Sequence, residues 1–410
     1  MAKNNAKTSA TPQTHTKPTS PKATGGFSVK TLFRDLLLVI VLIAALSYNL
    51  IKDLVVDSGV LLGDIQPFNT EGCKPLEGLE ACEDIHIHHA SSLAFTTCGN
   101  AEARKGWYPP IDKFNSSTEN AFQDVFVIYD IPSGKHQVMD LVGFPEGADR
   151  VFHGLGIHER SATDLTIFAI NHRRTGSVVE VLEYSIGDKA VQYKETIQHE
   201  LIRTPNDIVA LGPREFYVSN DHKYLTGPIR RVEELLRRQW SNVIYYSPEK
   251  TFVAFTGVAS ANGMTSNKDN SLIFLSACHG AGMHVLKPQA DHTLSQEEFV
   301  KFDFYVDNPS YDPVSGDIFV AGHVQPYKIV LVSPEPGKPI IGPSKVVRMY
   351  KNPETSSTAP KYLIETVLAD DGHFISTSTV AAIDRKHETM LVGTVFTAQS
   401  FFRCPLPKGA

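Results

Sequence analysis

The chain has 410 residues, 42 % of them hydrophobic and 20 % charged, with a formal net charge of −6. That is ordinary globular composition with ample length for a large core. A net negative chain without basic blocks does not suit nucleic acid as a partner.

The first residues stand apart from the rest. Residues 1–30 are rich in Thr, Ser, Pro and Lys and contain no Asp or Glu. They cannot bury enough apolar surface to fold, which predicts a disordered tail. An uncharged apolar run follows, Leu36–Ile51. Lys3, Lys7, Lys17, Lys22, Lys30 and Arg34 precede it, and Asp53, Asp57, Asp64 and Glu71 follow it. The basic side stays in the cytosol. The pattern predicts a signal-anchor transmembrane helix over 31–52, with a cytosolic tail at 1–30. A linker over 53–70 then leads to a globular part, 71–410, in the lumen of the secretory pathway or outside the cell. The run is at the short end of the roughly 17–25 residues that a span needs, so flanking residues must contribute. A cleaved signal peptide is the rival reading, and the long leader favours the anchor.

Five cysteines occur, Cys73, Cys82, Cys98, Cys278 and Cys404. An oxidising compartment permits disulfides. A bond between Cys73 and Cys404 would tie the two ends of the globular part together. The odd count leaves at least one thiol without an internal partner. The sequon at Asn115, Asn-Ser-Ser in a polar stretch, fits glycosylation of a surface loop.

From about residue 80 onward helical periodicity is almost absent. The clearest exception is the basic amphipathic stretch Arg230–Trp240, which suits a solvated surface helix or one that leans on a membrane or gates a pocket. Short β-rich runs alternate with polar turns, and several are alike. "ATDLTIFAINH", "GPREFYVSNDH", "DNSLIFLSACH" and "SGDIFVAGH" end at His172, His222, His279 and His323. Intervals of about 40–50 residues in an all-β chain indicate propeller blades of four strands. The reading is an all-β fold: a six-bladed β-propeller with a few short helices.

A second phase runs upstream of these strands. "CED", "FHG", "PND", "ANG" and "VDN" hold similar places in successive repeats. Equivalent positions in a propeller form a ring around one axis, so Glu83, Asn206, Asn262, Asp307 and Asn308 are expected to converge on the central tunnel. They offer hard oxygens only, the donors calcium prefers. A single Asn in such a place is ordinarily a turn residue, whereas five in register are a site. Zinc would want His or Cys in HExxH or CxxC spacing, which the chain lacks. "HIHH", His86–His89, reads as strand histidines on alternating faces rather than as a metal cluster. Cys278-His279 lies in an apolar strand and reads as a buried structural thiol. There is no G-x-S-x-G, P-loop or G-x-G-x-x-G.

These residues, in this order, resemble the serum paraoxonase/arylesterase family. "CEDIHI", "FHGLGIH", "FAINH", "PNDIVALGPREFYVSNDH", "WSNVIYYSP", "ANGM", "VDNPSYDPVSGDIFVAGH" and "LVGTVF" carry the likeness, from about Cys73 to Cys404. The resemblance implies a six-bladed propeller with two calcium ions in its tunnel. A catalytic calcium would sit on Glu83, Asn206, Asn262, Asp307 and Asn308. A structural calcium would sit on Asp84, Asp207 and the backbone carbonyl of Leu155. Alternation along an extended chain would send the neighbours Asn206 and Asp207 to opposite sides, one to each ion. The family's histidine pair falls on His153 and His172. Asp221, His222 and His323 fall near its pocket, and its terminal disulfide falls on Cys73 and Cys404.

The implied activity is calcium-dependent hydrolysis of a carboxylic ester or lactone. Calcium would polarise the carbonyl, and His153, assisted by His172, would activate water. A carboxylate base such as Asp307 is the alternative. The rival class is a non-enzymatic propeller that uses calcium for stability and its loops for binding; a one-metal gluconolactonase-like propeller is a third. The chain departs from the family at Ser260, where better-known members carry an aromatic, at Gly322 in place of a cysteine, and in the segment 100–120. These departures bear on substrate preference.

Overall fold

The structure is a computed structural model that describes residues 29–330, 337–354 and 359–409. The predicted disordered tail lies almost wholly outside them. Two units separate, Met1–Ile51 and Lys52–Ala410.

The first unit is built on α1, Val29–Asp57, which carries the apolar run and continues into the second unit. The expected spanning helix is therefore a helix, but among the described residues no helix is long and apolar enough to cross a membrane. The reason is length. Leu36–Ile51 supplies 16 uncharged residues, about 24 Å at 1.5 Å per residue, against a hydrocarbon core of about 30 Å. Leu36 to Ile43 are all exposed on its surface.

In the second unit, β-branched and aromatic runs separated by Gly, Pro, Asn and Asp turns form antiparallel meanders. Among the described residues the strands group into six four-stranded meanders, with a small hairpin, Trp107–Tyr108 with Lys113–Phe114, inserted in the first. Each of five meanders begins with an inner strand: Ile85–His88, Phe152–Glu159, Pro205–Gly212, Ala261–Ser266 and Tyr305–Tyr311. The sixth has Ser378–Asp384 in that place. Each inner strand lies against the next, and the sixth lies against the first. The sheets therefore close a ring, as a β-propeller requires.

The ring is sealed by the chain ends. Lys74–Pro75 pairs with Phe401–Pro405, so the start of the unit supplies the outer strand of its last meander. The expected Cys73–Cys404 disulfide lies beside this pairing and spans 331 residues of sequence. Closing so long a loop removes about 6 kcal/mol of unfolded-state entropy in the chain-entropy account. Cys82 pairs with Cys98, which the sequence left open, and fixes the approach to the first inner strand. Cys278 is the free, buried cysteine.

Apolar faces of neighbouring meanders fill the gaps between blades. Phe168, Ile170, Ile208, Phe216 and Val218 form one such layer, with the Phe168 and Phe216 rings 5.0 Å apart. Truncating a buried Phe of this kind costs about 3–5 kcal/mol. The helix expected at Arg230–Trp240 is shifted: α3 runs over Pro228–Leu235 and ends before Arg237, whose φ is +47°. Proline at its start sets φ for the first turn. Arg230 is not a solvated cation but a fully buried one.

Candidate active site

The ligand-like residues sit where the inner strands break register. The second to fifth inner strands each slip against their neighbour between Phe152 and Leu155, Pro205 and Ile208, Ala261 and Met264, and Val306 and Pro309. The slipped residues are His153-Gly154, Asn206-Asp207, Asn262-Gly263 and Asp307-Asn308. A bulge re-aims side chains that a regular strand would alternate. Simple alternation is thus not how Asn206 and Asp207 serve two levels of the tunnel; a bulge presents them.

Contacts pass from bulge to bulge around the ring. Asp84 Oδ2 accepts from the Leu155 amide at 2.9 Å. A Cβ on Gly154 would fall 2.2 Å from the Asn206 carbonyl oxygen, so only glycine lets these strands approach. Asp207 Oδ2 accepts from the Met264 amide at 2.6 Å, and the Asn262 carbonyl accepts from Ser219 Oγ at 2.8 Å. A Cβ on Gly263 would fall 2.4 Å from Asn308 Oδ1. Asn308 Nδ2 donates to Glu83 Oε1 at 2.7 Å, and Thr379 Oγ1 of the sixth inner strand donates to the Glu83 carbonyl at 2.5 Å.

The upper residues lie at the inner strands. Glu83, Asn206, Asp307 and Asn308 are buried, and Asn262 is half-buried. Glu83 Oε2 and Asn206 Oδ1 are buried with no hydrogen-bond partner. Burial, then the Asp307 and Asp84 carboxylates, hold Glu83 well above the usual carboxyl range. Orphaned oxygens beside crowded carboxylates call for a cation, and an all-oxygen set fits calcium. His323 Nε2 lies 3.0 Å from Asp307 Oδ2, which places that predicted pocket residue against a ligand.

The histidine pair lies at the same end. His153 Nδ1 is 3.4 Å from Glu83 Oε2, and the His153 and His172 rings are 5.3 Å apart. Nε2 of each is buried and unpartnered. Burial, then His172, hold His153 well below the ordinary histidine value. Burial takes His172 down to about 3. Both rings are therefore neutral near pH 7. His172 Nδ1 pairs with Ser177 Oγ at 2.8 Å, which leaves Nε2 with a lone pair when Nδ1 carries the proton.

Sequence reasoning missed the residue that meets His153 most closely. Tyr108 Oη lies 2.6 Å from His153 Nδ1, and its buried ring packs edge-on against Phe396 at 5.7 Å. It comes from the segment that departs from the family pattern. There Asn100 caps the short helix α2, Ala101–Arg104, which leads into the Trp107–Phe114 hairpin. Three buried contacts seat this segment: Arg104 on Asp124 at 2.5 Å, Trp107 Nε1 donating to the His172 carbonyl at 2.9 Å, and Arg230 Nη1 donating to the Pro109 carbonyl at 3.2 Å. "WYPP" in an otherwise polar stretch was the available signal.

Asp221 and His222 pair with each other at 2.9 Å, and His222 faces Glu234 of α3 at 3.5 Å. Asp221 joins Pro109, Pro110, His172 and Leu225 around a small cleft beside the histidine pair. Ser260 is buried at φ +62°, and its carbonyl accepts from the Cys278 amide. At Gly322 any side chain would meet the Tyr305 carbonyl at 2.1 Å. Asn115 is exposed, and its side chain accepts from the Ser117 amide at 3.1 Å.

The lower residues are joined by one that the sequence reading set aside. Asp84 and Asp207 are buried, and each of their four oxygens already accepts an N–H: from Ile85 and Leu155, and from Ile208 and Met264. His86 joins them, Nε2 3.0 Å from Asp84 Oδ2, and the three side chains place donor atoms within 4.8 Å of one another. Burial works against a charged His86 ring, but Asp84, Asp207 and a hydrogen bond to the Leu155 main chain prevail and take it up to about 9. The residue dismissed as one of three strand histidines is therefore grouped with Asp84 and Asp207. An imidazole nitrogen beside two carboxylates departs from the all-oxygen set that calcium prefers.

Fold and site together describe a β-propeller whose inner strands carry buried, oxygen-bearing side chains. The family model described as arylesterase matches residues 64–404, and the chain belongs to that family. It is 29% identical over 337 residues to serum paraoxonase/lactonase 3 of Rattus norvegicus, covering 81% of this chain and 89% of that one. It is 31% identical over 339 residues to serum paraoxonase/arylesterase 1 of Mus musculus, with the same coverages. Among solved structures, a luciferin-regenerating enzyme is similar at 13% identity and a TM-score of 0.49, covering 84% of this chain and 96% of that one.

Proposed function

We propose that the protein hydrolyses carboxylic esters and lactones, with calcium on Glu83, Asn206, Asn262, Asp307 and Asn308, and with His153 as the base that activates water. The observation that carries this reading is the meeting of two kinds of unsatisfied atom at one tunnel end. The unpartnered Glu83 Oε2 lies 3.4 Å from His153 Nδ1, and the Nε2 atoms of His153 and His172 are bare. A binding module has no use for two neutral, orphaned imidazoles there. The calcium ion, when bound, supplies electrophilic stabilisation of the carbonyl oxygen.

The chain's own residues do the rest. With Nδ1 protonated, His153 donates to Tyr108 Oη and leans on the Glu83 carboxylate, so Nε2 is free to take a proton from water. His172 Nε2 is the next acceptor. Phe396 and Tyr108 keep bulk water from the pair. Asp307, held by His323, orients the opposite wall. The lower set ties the first three inner strands together through a second ion, so the reading keeps two cation positions.

Two disulfides support an oxidising compartment. With the basic leader and the exposed apolar α1, they support attachment to a membrane of the secretory pathway, the leader cytosolic and the propeller lumenal or extracellular. Carbonate extraction and protease protection of full-length protein test this. For the chemistry, the test is turnover of phenyl acetate and a panel of lactones before and after EDTA. The expected result is hydrolysis that EDTA abolishes and calcium restores. A calcium-loaded, folded protein inert towards the whole panel would sink the proposal.

A further inference from the structure

The lower end of the tunnel holds a donor set unlike the upper. Asp84 and Asp207 bring one carboxylate each from the first and third meanders, buried to 2 % and 1 % exposure. His86, two residues after Asp84, turns its imidazole between them. The Leu155 amide of the second meander donates to Asp84 Oδ2 at 2.9 Å.

The three side chains offer two carboxylates and one imidazole nitrogen. Calcium binds nitrogen poorly and needs about 6–8 oxygens. Imidazole with carboxylates suits zinc-like ions, which settle for four donors. The carboxylates are also oriented as ligands of a compact ion are. Backbone amides of Ile85, Leu155, Ile208 and Met264 fix all four oxygens from behind, the outer support that tunes a metal site. His86 stays a quarter exposed, so the tunnel floor gives an ion a way in.

We propose that the lower tunnel site of this chain takes a zinc-class divalent ion on Asp84, His86 and Asp207, in preference to calcium. This rests on the two-position reading above but is read out apart from turnover. The site is structural: one ion pins the first three meanders at the tunnel floor, while calcium at the upper end serves the reaction.

The test uses full-length protein in detergent, stripped of metal and dialysed against equal concentrations of calcium and zinc. Bound metal is then counted by mass spectrometry. The expected result is one zinc and one calcium per chain. In protein reloaded with cobalt instead of zinc, the expected sign is the visible absorption of four-coordinate cobalt. His86→Ala should lower zinc retention by about tenfold or more, as loss of a metal-supporting group does. His86→Asp should replace zinc by a second calcium. Two calcium ions and no zinc in the parent would overturn the proposal, as would zinc binding that His86→Ala leaves intact. If His86→Ala fails to fold, the cobalt spectrum and the metal count of the parent still decide. Loss of ester turnover with this metal count unchanged would count against the hydrolase reading alone.

Discussion

The two ends of the tunnel are made from the same bulges, yet they are finished differently. At the upper end, Glu83 Oε2 and Asn206 Oδ1 have no partner and the histidine nitrogens are bare. At the lower end, every oxygen of Asp84 and Asp207 is already held by a backbone amide. Neighbours in sequence, Glu83 beside Asp84 and Asn206 beside Asp207, therefore have opposite jobs. Atoms left unsatisfied in a folded core are costly and are tolerated where a ligand or a reaction uses them. Atoms fully tied down hold the frame.

The contrast breaks or stands on a few substitutions. Glu83→Gln should have the largest effect, a fall in kcat/KM of about 10³, equivalent to roughly 4 kcal/mol of transition-state stabilisation. Its stability should move the other way. Because burial and carboxylate neighbours raise the Glu83 pKa, its ionised form opposes folding at neutral pH when no cation is bound. Glu83→Gln should then melt higher than the parent in EDTA; a lower melting temperature would show that Glu83 is a frame residue.

Asp207→Ala should do the reverse of Glu83→Gln. It strands the amides of Ile208 and Met264, each at about 1–3 kcal/mol, so denaturation should report a loss of about 3 kcal/mol while the residual folded enzyme keeps turning over. Next comes Tyr108→Phe, with kcat down about tenfold and an unchanged melting temperature, because only the hydroxyl at His153 is lost. The smallest effect is on pH. A histidine with a lowered pKa keeps its base form into acid, so the acid limb of kcat/KM should lie below the ordinary 6.5. A limb at 6.5 would separate the rate from the histidine pair.

The sequence carried the ring and the polar residues at its inner strands because both are periodic. Asn206, Asn262 and Asn308 recur before strands that end in His222, His279 and His323, and a repeat of that kind survives any local irregularity. What it could not show is how the strands pair. The bulges exist only against a partner strand, so Asn206 and Asp207 looked like plain alternation. Tyr108 was hidden because a polar insertion has no period. His86 was hidden because "HIHH" in isolation says nothing about which carboxylates a sheet will bring to it. The Cys82–Cys98 pair was likewise a matter of which strands lie side by side.

The seam at Lys74–Pro75 and Phe401–Pro405, with Cys73–Cys404 beside it, also decides how the ring carries load. A pull applied at the two ends of the propeller meets at one spot. Tension runs through a single sulfur–sulfur bond and one short pair of strands, and the other five meanders lie outside its path. While that bond is intact, the tunnel is mechanically shielded from whatever tugs on either terminus. Once it is reduced, the same tug peels the last blade first and opens the tunnel at Thr379, the residue that holds the Glu83 carbonyl.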